Sequence, residues 1–414
     1  MSINLINTLA QPLKSAAKFT AFQEQSSGLS TSRCIMDTAT CLGPKAVCSR
    51  SKEDLFENAA LEISENALVY YGPALVGEKV ARKVFSKNLS QKAKSLVSVP
   101  AKELMTNSTA LNKKVLPAKA AIALSALLIP LTEFTLNYFK NLATLKVFKK
   151  ADFNNIASLE HKKEDTEAQE KVRKSAHRNI KKSAGIFAFS AGLAALVAKK
   201  GSSSKFLMNI SEAILAPGTK FFKNNNKLKN FFNKYFSLDF ARGENGKLVL
   251  SKGQLTSCVV IGGLGYFGAA KDRGRQNFLE TLFRFPLVGF YIITGSELFE
   301  KGFKKLLQRA GKCKETISHD LSTPSFETIA KTAKDIAKKN GTKAEAEFKK
   351  LAKQKVLISG VPFLFSIGVM GFFVAATSNL FTRYRFNKEK KLNTLSSQYI
   401  QQKNASPAFK SFLK

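Results

Sequence analysis

Residues 356–381 run for 26 positions without a charged side chain. As an α-helix rising 1.5 Å per residue, this run is roughly 39 Å long, more than the ~30 Å hydrocarbon core of a bilayer. A soluble fold could hold it only by surrounding it with apolar neighbours. Arg383, Arg385, Lys388, Lys390 and Lys391 follow directly, so the pattern predicts a membrane span with a basic exit. Five Lys/Arg on each side of the run leave orientation unspecified.

Weaker runs share the pattern. Residues 120–139 reach about 30 Å with one charge, Glu133. Residues 183–198 lie between paired lysines and are marginal in length, and residues 254–270 are uncharged and rich in glycine. Residues 285–296 are only 12 long, which suits a re-entrant or interfacial segment. No stretch alternates persistently with period two and no fixed repeat is evident. The expected class is all-α: a helical membrane protein with two to five apolar helices and basic amphipathic connecting helices.

The organisation follows composition. Residues 1–51 combine an amphipathic segment, with Ile6, Leu9, Leu13 and Ala16 at helical spacing, and a flexible Ser/Thr/Gly-rich loop. Scarce acids and many hydroxyls there also allow an organellar transit peptide. Residues 52–119 hold amphipathic helices with an acidic patch, Glu53, Asp54, Glu57, Glu62 and Glu65, expected as a solvated face, with a charged face that meets a basic segment elsewhere as the alternative. Residues 120–200 are an apolar, a polar and a marginal apolar helix, and 201–314 are basic amphipathic and Gly-rich apolar helices. Residues 315–382 are Lys/Ala helices and the long apolar helix, and 383–414 are a basic tail.

Charge points to the partner. Lys and Arg number 66 against 30 Asp and Glu, a formal charge of +36 spread along the chain. Such a field favours anionic lipid headgroups or nucleic acid. Lys220, Phe221, Phe222, Lys223, Lys227, Lys229, Phe231, Phe232 and Lys234 interleave base and aromatic as a lipid-surface helix does. The same interleaving could bind single-stranded nucleic acid, but that leaves the 26-residue run unexplained.

Other motifs favour packing over chemistry. Residues 263–268 spell G-x-G-x-x-G, yet the strand–helix alternation of a dinucleotide site is missing. Gly262, Gly265, Gly268 and Ala269 instead form a ridge for close helix packing. Gly371 with Ala375, and Ala184, Ala188 and Gly192, have the four-residue spacing of further helix contacts, implying a helix partner within the membrane. Glu133, with Asn137 one turn away, is the candidate intramembrane ionisable site, able to serve ions or protons or simply to pair with Lys140. Cys34, Cys41 and Cys48 lack the spacing and histidines of a zinc site, and five cysteines make no disulfide framework. Ser318, His319 and Asp320 are consecutive, which does not supply triad geometry. No catalytic, metal or cofactor residue is expected. The expectation is a membrane scaffold or membrane-organising protein contacting anionic headgroups; a transporter or channel using Glu133 and a soluble nucleic-acid-binding bundle are the alternatives.

Overall fold

The computed structural model describes residues 6–25, 38, 42–71, 78–107, 109–242, 248–249 and 251–404. Ten helices carry the argument. They are α1 (Gln11–Gln25), α2 (Lys52–Glu65), α3 (Ala110–Ala126), α4 (Leu128–Phe148), α5 (Thr166–Lys200), α6 (Asn226–Tyr235) and α7 (Lys252–Asp272). α8 runs from Arg275 to Arg309, α9 is Phe326–Asn340, and α10 begins at Ala344 and continues to Asn404. Shorter helices fill the connections. The only strands among the described residues form a two-residue antiparallel pairing, Ala241 with Val249 and Arg242 with Leu248. Glu244, Asn245, Gly246 and Lys247, whose composition marks a tight turn, lie outside the described residues.

Four helices are long and apolar enough to cross a membrane: Ala110–Phe148 (α3 with α4), α5, α8 and α10. They differ in surroundings. The most apolar stretch of α3–α4 is 72% buried, whereas those of α5, α8 and α10 are 17%, 17% and 11% buried. The centre of the molecule is therefore α3–α4, and the other three present apolar side chains outward. The uncharged run on α10 is not a core helix: Leu364, Phe373 and Leu380 are all more than half exposed. The Gly-rich run on α7 packs chiefly along α4 and α8.

Two apolar clusters organise the ends. Around α3, Val115, Ala120, Ile122 and Leu124 meet Ala194 and Val197 of α5 and Leu207 and Leu215 of the following helix. Small side chains let these helices approach closely. The amphipathic N-terminal segment buries Ile6, Leu9 and Ala17 against Phe326, Ile329 and Ala333 of α9 and Phe348 and Leu351 of α10. Ser325 caps α9 through a bond from Thr328 N. Thr342 and Glu345 have the spacing of a capping box, but none forms: Lys343 is the N-cap, and the Thr342 hydroxyl donates to Glu347 instead.

α8 and α10 pair antiparallel. Gln276 bonds Arg385 and Glu389 at one end, Phe283 stacks on Phe381 at 4.5 Å, and Tyr291 meets Ser366 at 2.5 Å. Phe299 stacks on Phe365 toward the other end. Each helix contains a proline, Pro286 or Pro362, followed by a π-helical segment, Tyr291–Gly295 or Ile367–Phe373, and the Tyr291–Ser366 contact joins these segments. Residues 285–296 are thus not a separate short element but the middle of one long helix, Arg275–Arg309. Glu280, ahead of that stretch, pairs with Arg50, and Glu297 beyond it with Lys252 and Lys301, and the helix continues through both.

Two other expectations are corrected. Ala184, Ala188 and Gly192 face outward, and an added Cβ at Gly192 would meet nothing. α5 packs instead through Val172, Ala176, Ser183, Ser190 and Val197 on the opposite side. The expected loop after α1 also ends earlier than composition suggests, since Arg50 and Ser51 are firmly bonded.

Candidate functional site

The acidic patch of α2 is not a solvated face. Glu53, Asp54, Glu57 and Glu62 are all less than a tenth exposed, and each has found a cation. Local sequence makes the helix: Ser51 caps it through a bond from Asp54 N, and Glu53 and Asp54 suit the positive end of the helix dipole. Tertiary structure supplies the counter-charges. Lys150 reaches Glu53 at 3.0 Å, Arg273 donates to Glu57 at 2.5 Å, and Lys45 pairs with Glu62. Burial alone would raise the Glu53 carboxyl, but the bond from Lys150 holds it below its ordinary value.

Arg50 is the node of this network. Its Nη1 and Nη2 donate to the two oxygens of Glu280 at 2.7 and 3.2 Å, and its Nε donates to Asp54 at 3.0 Å. Thr382 of α10 adds a bond to Glu280 at 2.7 Å, and the guanidinium lies over the Phe153 ring. Burial opposes the Arg50 charge, yet Glu280 and Asp54 more than offset it and raise its pKa. One side chain thereby joins α2, α8 and α10. Asn379 adds a second tie, donating to the Cys48 carbonyl.

A polar stripe runs along the otherwise apolar α4: Glu133, Asn137, Asn141 and Thr144, three or four residues apart. Asn137 donates to the Glu133 carbonyl, Asn141 to the Ala269 carbonyl of α7, and Thr144 to Glu57. The Glu133 carboxyl does not pair with Lys140, which sits 3.9 Å from Glu57. Glu133 instead abuts α7 at Gly262, where an added Cβ would stand 2.6 Å from its carboxyl carbon. Glu65 is the like charge that acts on Glu133, and the Tyr266 hydroxyl donates to Glu65 at 2.7 Å. Burial raises the Glu65 carboxyl above its ordinary range.

The glycine ridge of α7 meets this stripe. Gly265 leaves room for the Phe134 backbone and Gly268 for the Tyr138 hydroxyl, and Ala269 is buried beside Tyr138. The whole G-x-G-x-x-G stretch lies inside one helix that begins at Lys252, so its glycines form no strand-to-helix turn for a nucleotide. Gly371 and Ala375 are buried on α10.

The lipid-surface residues lie on and before α6, which has no buried residue. Phe221 and Phe231 are exposed, while Phe222 and Phe232 stack at 4.5 Å. Lys223, Lys227 and Lys234 are exposed, Lys229 is partly covered, and Lys220 pairs with Glu212. Ser318 bonds Asp320 and Ser322 within a local turn and His319 is exposed, so no triad forms. No metal-binding cluster occurs among the described residues; Cys34 and Cys41 lie outside them. Sequence spacing indicated the glycine ridge, whereas the Arg50 network had no local signal. Comparisons with protein-family models, with curated proteins and with solved structures each return no match.

Proposed function

We propose that the protein is an integral membrane scaffold, embedded by its outward-facing apolar helices and held against anionic headgroups by its basic ones. The surface of α10 carries this reading. Leu357, Leu364, Phe372, Phe373 and Leu380 stand exposed on a helix with no charge over 26 residues. Water would penalise that surface at about 25 cal/mol for each Å², whereas lipid tails accept it without cost. Basic residues at the end of α10 and the Phe/Lys surface of α6 suit the interfacial layer. The buried ion pairs support a rigid body, because they tie α2 to α4, to the end of α7 and to α8, and Thr382 of α10 bonds the same Glu280.

Alkaline carbonate extraction of a membrane fraction tests the embedding: the protein is expected in the pellet, and release of the full pool to the supernatant overturns the proposal. Vesicle flotation tests the headgroup contact. Replacing Lys223, Lys227 and Lys234 by Gln should weaken binding to anionic vesicles by about 1 kcal/mol per lysine, with less effect at high salt.

The polar stripe on α4 favours a second reading, transport through Glu133. It extends only about 16 Å, half the hydrocarbon thickness, and beyond Glu133 come buried Ile129, Pro130 and Leu131. A stripe that stops midway supports a structural role more than a path. Glu133→Gln in reconstituted vesicles should therefore leave ion and proton flux unchanged; lost flux would favour transport.

A further inference from the structure

The polar half of α5 carries a basic stripe opposite the side that packs on α3 and α4. Arg173, Lys174, His177, Arg178, Lys181 and Lys182 line a shallow, open recess on this one helix face together with Glu170. Glu170 engages the far end, pairing with Arg173 at 2.6 Å and Lys174 at 3.6 Å. Arg178, Lys181 and Lys182 have no carboxylate within ion-pair distance among the described residues. At 1.5 Å per residue the stripe extends roughly 13 Å along the helix.

The same face continues into the apolar half of α5. With 100° between successive residues, Gly185, Ala188, Gly192 and Ala195 fall directly in line below the basic stripe. All four are exposed, and a Cβ added at Gly185 or Gly192 would meet nothing within 4 Å. Phe189 and Leu196 border this floor and are exposed. Lys199 and Lys200 close it, about 25 Å from Lys182. Arg178, Lys181 and Lys182, which make no ion pair among the described residues, thus stand over an open apolar slot nearly as long as the hydrocarbon core is thick.

We propose that this face of α5 is a binding site for a membrane phospholipid whose headgroup carries phosphomonoesters as well as its diester. The inference rests on the embedding proposed above. The diester sits at Lys181 and Lys182, at the edge of the apolar segment, and one acyl chain lies along Gly185, Ala188 and Gly192. The additional phosphates extend to Arg178 and Lys174. A single phosphate would neutralise one charge and leave the rest of the recess unmatched, so a polyanionic headgroup is the better complement. Nucleic acid would match the cations but not the apolar slot in line with them.

The test uses the full chain in nanodiscs of phosphatidylcholine containing phosphatidylinositol bisphosphate, or phosphatidylserine at matched total charge, with co-purifying lipid measured by mass spectrometry. The bisphosphate lipid should be enriched over the charge-matched serine lipid. In the triple variant R178Q/K181Q/K182Q, enrichment should fall on the order of a hundredfold. Those side chains are exposed, so helical content should stay unchanged. Filling the slot with G185L/G192L should lower retention of the lipid but not of soluble inositol hexakisphosphate. Undiminished retention in the triple variant, or tighter binding of single-stranded RNA than of the lipid by detergent-solubilised protein, overturns the site. Carbonate release of the wild-type chain is the separate result that overturns the embedding, and the site with it.

Discussion

Replacing Arg50 by Met would leave Glu280 and Asp54 buried without their shared cation. Removing one partner of a buried ion pair costs about 3–5 kcal/mol, because the remaining charge keeps its desolvation penalty. Arg50→Met should therefore lower thermal stability in detergent markedly, and combining it with Glu280→Gln should cost less than the two single changes summed. A destabilisation that is purely additive would show that the two groups are not coupled. Glu53 carries a pH dependence of definite sign. Its folded pKa is depressed by Lys150, so the stability it contributes is present above 4.5, its ordinary value, and is lost as pH falls through the lowered one. Melting temperatures measured on acidification should converge for wild type and Glu53→Gln; a gap that widens toward low pH would contradict the pairing.

At the scale of helices, the glycines sort into two kinds. Gly265 lies against the Phe134 backbone, where an added Cβ would be 2.7 Å from its Cα, whereas Gly368 faces open space. Gly265→Ala should push α7 off α4 at a cost of about 1–3 kcal/mol, and Gly368→Ala should be tolerated, a contrast readable by thermal unfolding. Gly368→Arg should instead oppose membrane insertion by about 2.5–3.5 kcal/mol, measured by the inserted fraction during translation into microsomes; unimpaired insertion would argue against a span there. The same distinction explains what could be read from sequence. The run on α10 and the α7 glycines announce themselves because composition and four-residue spacing are local properties. Ala184, Ala188 and Gly192 have similar spacing yet meet no helix, since spacing says that close approach is permitted and not that it occurs. The acids of α2 resemble a solvated face because their cations come from other elements: Lys150 on the far side of α4, and Arg273 216 residues onward.

For the whole molecule, the embedding predicts a topology. Cysteines introduced singly at exposed Lys353 and Lys388, in a chain without its native cysteines, lie roughly 52 Å apart along α10. A membrane-impermeant thiol reagent should reach them from opposite faces of sealed vesicles, and labelling of both from one face would exclude a crossing α10. The Arg50 network also has a bearing on how the chain comes into being. Arg50 leaves the ribosome 230 residues before Glu280, and the Cys48 carbonyl 331 residues before Asn379. At about 5–20 residues per second, the first of these gaps lasts on the order of ten to fifty seconds, during which Lys150 becomes available to Glu53 but Arg50 still lacks Glu280. The helix made early must wait in a polar environment until α7, α8 and then α10 have been synthesised, so translation ends with the newest helix fastening the oldest.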